Sequence, residues 1–191
     1  MPTTTYTIAS SHDDSFYDTR ELGGQCNNEA VFIKIGPFEE AGTFYAWYGG
    51  VRFDNITQGN GHKILSAYLR VKAADNGLTS TVRIRGVLQL DPAAWQDPNC
   101  NPDARPATTA YVDWATGART QGEWYNSADI SAVVQELLEQ VNWTTGGAIA
   151  FMLSGQGGAS PCSFSSYDLG DHSSAPQLVI TWQPKVAGYM L

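Results

Sequence analysis

The residues of this chain best suited to chemistry are acidic. His12, Asp13, Asp14 and Asp18 fall close together near the N-terminus, and Asp168 and Asp171 near the C-terminus. First and last strands of a β-sandwich are often neighbours, so Asp13, Asp14, Asp168 and Asp171 could gather hard oxygen donors for Ca²⁺, which takes about six to eight of them. Their spacing fits no EF-hand-like loop, and solvated turn aspartates are the simpler expectation. No metal or other cofactor is expected, and folding is expected to need no Ca²⁺.

Other catalytic patterns are absent. There is no GxSxG, HExxH, phosphate loop or zinc spacing. His12, His62 and His172 are scattered through polar loops, and no carboxylate pair is placed by motif for glycosidic acid–base work. The chain therefore reads as non-enzymatic. Tyr45, Trp47, Tyr48, Trp95, Trp124, Tyr125 and Trp143 could stack on sugar rings, but most sit where strands or helix ends would bury them. Trp95, in the proline-rich stretch DPAAWQDPNCNPDARPA, is the best candidate for an exposed sugar platform, although packing is the favoured reading there too. Cys26, Cys100 and Cys162 show neither CxxC spacing nor an even number, so at least one thiol is free.

Composition narrows the class. In 191 residues the net charge is -8 and only 16% of residues are charged, with no Lys/Arg cluster to neutralise phosphates, so nucleic acid is not an expected partner. No apolar run approaches the ~20 residues that span a bilayer, and the opening MPTTTYTIASSHDDS does not read as a secretory leader. With 12% aromatics and 19 glycines, an all-β domain with many tight turns is favoured, and one domain over 1–191 is the default.

These residues must be positioned by a sheet and one helix. Ile130, Val133, Val134, Leu137, Leu138 and Val141 recur at helical spacing, which predicts a helix over about 129–141 capped by Asn126, Ser127 or Asp129 and stopped near Asn142. AIAFMLS follows as a strand buried on both sides. Strands are expected at TYTIA, EAVFIKIG, FYAWYGGVRFDNI, KILSAYLRVKA, TVRIRGVLQL, TTAYVDW, SFSSYDLG and APQLVITWQP, with a bend or bulge at Gly49-Gly50 and a turn from Pro37 to Gly42. SHDDSFYDTRELGGQCNN reads as a loop. The fold class is all-β: an antiparallel, jelly-roll-like β-sandwich whose one amphipathic helix closes an end.

Three stretches, VRFDNITQGNGHKILSAYLRVKA, RPATTAYVDW…SADISAVVQELLEQVNWTTGGAIAFMLSG and SFSSYDLGDHSSAPQLVITW, resemble DNRLRE-type β-sandwich domains. Those are similar to a family of bacterial carbohydrate-binding modules and to phage structural proteins. The resemblance covers about 29–183 and leaves an apolar tail at 184–191. It implies either a structural or decoration protein of an assembled particle such as a phage virion, or a carbohydrate-binding module. The tail residues Val186, Tyr189, Met190 and Leu191 favour the first, as a contact with copies of the same chain or other virion proteins. The expected location is then a virion assembled in a host cytoplasm. The alternative is an extracellular protein whose partner is a surface glycan.

Overall fold

The computed structural model describes residues 1–20, 24–96, 100–101, 104–158 and 161–184. Twelve strands and one helix are present among them: β1 (Thr3–Thr7), β2 (Asp14–Asp18), β3 (Gln25–Asn27), β4 (Phe32–Glu40), β5 (Thr43–Phe53), β6 (Lys63–Lys72), β7 (Ser80–Val87), β8 (Ala107–Ala115), β9 (Trp124–Asn126), α1 (Ser131–Leu138), β10 (Ile149–Gly158), β11 (Cys162–Ser165) and β12 (Gln177–Gln183). Two antiparallel sheets form. The smaller runs β1-β12-β6-β9; the larger runs β11-β4-β5-β10-β7-β8, with β2 and β3 added beside β5. This is the expected all-β antiparallel sandwich. The strand order does not establish a jelly-roll winding.

Alternation decides which side chains enter the core. Leu69, Ala67 and Val71 of β6 meet Leu178 and Ile180 of β12 across the gap from Val51, Phe53, Val82, Ile84, Phe151 and Leu153 of the larger sheet. β4 joins β11 to β5. Its first half pairs β11, and from Gly36, at φ 115°, it turns to pair β5. It therefore runs straight through Pro37, and the reversal comes later, at Ala41 and Gly42 with φ of 51° and 81°. Two successive positive φ values make the tight primed turn that suits strand twist.

The helix is shorter than its apolar periodicity, Ser131–Leu138, and Val141 is 81% exposed rather than part of the buried stripe. The helix ends at Leu138 with Glu139 as its C-cap, and Asn142, at φ 70°, then redirects the chain. Ile130 is the N-cap residue; Asp129 Oδ1 instead accepts from Ser131 N at 2.8 Å and from Ala67 N at 3.1 Å. The helix closes the opening between the two sheets, packed against β6 of the smaller and β7 and β8 of the larger. β9 covers only Arg70 to Lys72 of β6, so the rest of that edge needs other partners. Ile64 N donates to Gln135 Oε1 (2.8 Å) and Leu69 N to Ser127 Oγ (3.0 Å), while on the facing edge Thr109 N and Ala110 N both donate to Glu136 at 2.8 Å. One short helical segment thus satisfies two sheet edges that would otherwise be bare.

Two further expectations need correction. The polar stretch 10–27 is not a loop: it holds a 3-10 turn at Ser11–Asp13 and strands β2 and β3. Its aspartates look solvated in sequence, but Asp13, Asp14 and Asp18 are buried. Gly49-Gly50 is not a bulge either, because pairing to β10 runs through both residues in register. A Cβ on Gly50 would lie 2.5 Å from the Trp95 ring and one on Gly49 2.8 Å from Ile33, so these glycines make room for neighbours. No helix among the described residues is long and apolar enough to cross a membrane.

Candidate functional site

The outer face of the larger sheet carries a recess. Outward positions on β5, β10 and β7 are Tyr48 and Gly50, Met152 and Ser154, and Arg83 and Arg85, as the registers Ser154↔Tyr48 and Met152↔Arg85 require. The segment joining β7 to β8 folds over one side of this face. Trp95 is its anchor, and it is packed in the core rather than offered as a sugar platform: the ring has 0% exposure and packs with Val87, Ala150 and Met152. A proline-rich stretch suggested a surface loop, but Gly50 opens a slot in the sheet that takes the indole.

Three more interactions fasten the segment. Trp95 N donates to His12 O at 2.7 Å, and Arg52 Nε donates to Pro92 O at 2.7 Å. Arg105 lies over the Trp95 ring, 3.9 Å from its centroid, and donates to Ala93 O and Ala94 O at 2.8 and 2.9 Å. Burial lowers the guanidinium's pKa, so its charge is held where water screens it poorly.

Between this strap and the sheet lies a pocket of about 230 Å³ lined by Tyr48, Arg85, Arg105, Ala107, Met152, Leu153 and Ser154. Arg85 Nε is buried there without a hydrogen-bond partner. Tyr111, 50% exposed, lies beside Arg85 and Arg83, whose guanidinium carbons are 5.6 and 4.2 Å from its ring centroid. Arg83 is committed to Asp113 through a bidentate pair at 2.7 and 2.8 Å, which leaves Arg85 as the cation facing the recess with Arg105. Fixed guanidinium donors beside phenol rings can grip a planar anion or sugar hydroxyls while a ring face stacks.

The acidic residues divide. Asp13 Oδ1 accepts from Arg52 Nη1 at 2.7 Å and its Oδ2 from Ser10 Oγ at 2.8 Å. Asp18 is gripped by Arg20 and by Trp47 Nε1, which donates at 2.9 Å. Asp171 lies on the exposed surface and accepts from Ser173 N. Asp14 and Asp168 do come together, as the N-terminal and C-terminal segments meet: Tyr167 N donates to Asp14 Oδ2 at 2.7 Å and Ser11 Oγ to Asp168 Oδ1 at 2.6 Å. Among the described residues, no three His, Cys, Asp or Glu side chains gather as a metal set.

The histidines with side-chain contacts build turns. Gly59 N donates to His62 Nδ1, and the His62 ring stacks on Trp182 at 4.5 Å. The His172 ring stacks on Tyr167 at 4.0 Å. Cys162 is a free thiol, and burial pushes it up to about 12, well away from reactivity.

Val186, Tyr189, Met190 and Leu191, the expected assembly contact, lie outside the described residues. Sequence reasoning missed the Tyr48–Arg85–Arg105 pocket. Arg83 and Arg85 alternating with Val82 and Ile84 signalled outward arginines, but nothing in sequence brings Arg105 beside them. No protein-family model matches this chain, and a search of curated proteins finds no match.

Proposed function

We propose that this β-sandwich is a non-enzymatic recognition module that takes a saccharide on the outer face of its larger sheet. The observation that carries this reading is the pocket where Arg85 and Arg105 converge beside Tyr48 and Tyr111. The arginines suit a sugar bearing a carboxylate, because a guanidinium matches that group with two parallel hydrogen bonds. The resemblance to DNRLRE-type domains, and through them to carbohydrate-binding modules, supports the same reading. The test is titration calorimetry against neutral and acidic oligosaccharides identified on a glycan array. Arg85→Ala is expected to weaken binding to an acidic glycan at least about tenfold, the equivalent of ~1.4 kcal/mol, with Tm little changed. Absence of binding to any glycan, or equal affinity for the Arg85→Ala protein, refutes the proposal.

A second reading, a structural or decoration protein of an assembled particle such as a phage virion, is favoured by the β4–β5 hairpin. Phe44 near its tip is 78% exposed, and Phe38 stiffens the arm by stacking on Tyr45 and Trp47 at 5.5 and 3.8 Å. A large apolar residue displayed on a rigid arm suits contact with another subunit. Removing Ala187 to Leu191, or changing Phe44 to Ser, should leave the Tm within a few degrees but abolish self-association or particle attachment, read by light scattering and co-sedimentation. A full-length chain that stays monomeric and binds no particle excludes this role.

A further inference from the structure

Asp14 sits in an unusual environment that the glycan reading does not use. The residue is 1% exposed, on a strand that places it toward the sandwich interior beside Val51. Its Oδ2 accepts from Tyr167 N, but its Oδ1 is buried with no hydrogen-bond partner. Asp168, the nearest group on the turn after β11, shows the same pattern: Oδ1 accepts from Ser11 Oγ, and Oδ2 is buried and unpartnered. Around them stand Asp13, Arg52 and His172. Arg52 is committed to Asp13 and Asp54 at 2.7 Å each, and His172 Nδ1 lies 2.6 Å from Tyr167 O. No cationic side chain among the described residues touches Asp14 or Asp168.

A buried carboxylate beside a second, half-buried one, with no counter-charge on either, cannot be ionised at small cost. One proton resolves the difficulty. Placed on Asp14 Oδ1, it removes a buried charge and turns an unmatched acceptor into a donor, while Oδ2 still accepts from Tyr167 N.

We propose that Asp14 is a neutral, protonated carboxyl at neutral pH and serves as a pH-sensitive latch fastening β2 to the turn after β11. What it fastens is where the two ends of the chain meet. Through Tyr167 it holds the turn that also carries the Ser11–Asp168 bond and the Ser166 Oγ bond to Ala30 O. Burial, and secondarily the charges of Asp168 and Asp13, push the Asp14 carboxyl up to about 8, against the opposing pull of the Tyr167 N–H. In the unfolded chain the same group keeps its ordinary value of 3.8. Between these values the folded protein holds a proton that the unfolded chain lacks. The latch's contribution is therefore complete below the ordinary carboxylate range, falls as pH rises towards about 8, and is gone above it.

The test compares melting curves from pH 5 to 9.5 for the parent, Asp14→Asn and Asp168→Asn proteins. Asparagine reproduces the neutral carboxyl: its oxygen accepts from Tyr167 N and its NH₂ donates. The parent should lose roughly 5 °C or more relative to Asp14→Asn across this range, with Asp14→Asn the more stable of the two above pH 8.5. Asp168→Asn should reduce the dependence in part. Cleavage by added protease within 169–174 should rise above pH 8.5 in the parent alone. Infrared spectra of the parent provide a readout that needs no variant to fold: a protonated-carboxyl C=O band should persist at pH 7 and vanish above pH 9. Parallel melting curves for parent and Asp14→Asn, or no such band at pH 7, overturn the proposal. So does a parent Tm at pH 8.5 that Ca²⁺ raises while that of Asp14→Asn is unmoved, since a cation and not a proton would then neutralise the pair.

Discussion

Replacing Trp95 with alanine is expected to destabilise the fold by about 3–5 kcal/mol, the range for deleting a fully buried aromatic side chain. In a chain of this size that lowers Tm by roughly 10 °C. The indole fills the slot above Gly50, touching Val87, Ala150 and Met152, and no rearrangement of a glycine can fill the space it would leave. The loss reaches the pocket as well. Arg105 would lose the ring beneath its guanidinium, and the strap that forms one wall of the recess would lose its anchor. Glycan binding should therefore fall with stability in Trp95→Ala, whereas Arg85→Ala should weaken binding alone. Urea unfolding followed by tryptophan fluorescence and circular dichroism would measure the first effect. A loss below 1 kcal/mol would show that the strap is not held as described.

The second large effect is expected at the helix. Leu137 has 0% exposure, and its Cδ1 would lie 2.8 Å from a Cβ on Gly86 of β7. Leu137→Asp would bring an unpaired carboxylate into this contact between helix and sheet, with a loss of more than about 4 kcal/mol or failure to fold. Leu137→Ala should cost about 2–5 kcal/mol through the cavity alone. Val141→Asp is the control. Both residues belong to the same apolar periodicity, but Val141 is 81% exposed, so its substitution should stay within about 0.5 kcal/mol. Equal effects at the two positions would mean that the helix continues through Val141.

Sequence by itself determined what local pattern encodes: strands where apolar residues alternate, one helix where they recur at three and four, and reversals at Gly and Asn. β6, β7, β8, β10 and β12 were legible in this way, because each buries one or both faces along its length. Tertiary structure decided whatever depends on a partner distant in the chain. Asp14 and Asp18 read as loop residues because their polarity is local, while the Tyr167 N–H and the Trp47 indole that donate to them are supplied by folding. Val141 fits the helical stripe, yet the chain leaves the helix before reaching it. Trp95 lies in a stretch whose prolines indicate exposure, and only the missing Cβ atom of Gly50, 45 residues earlier, creates the space that buries it. Arg85 and Arg105 are separated by a segment whose path no periodicity specifies, so the pocket between them arises only when that segment folds back over the sheet.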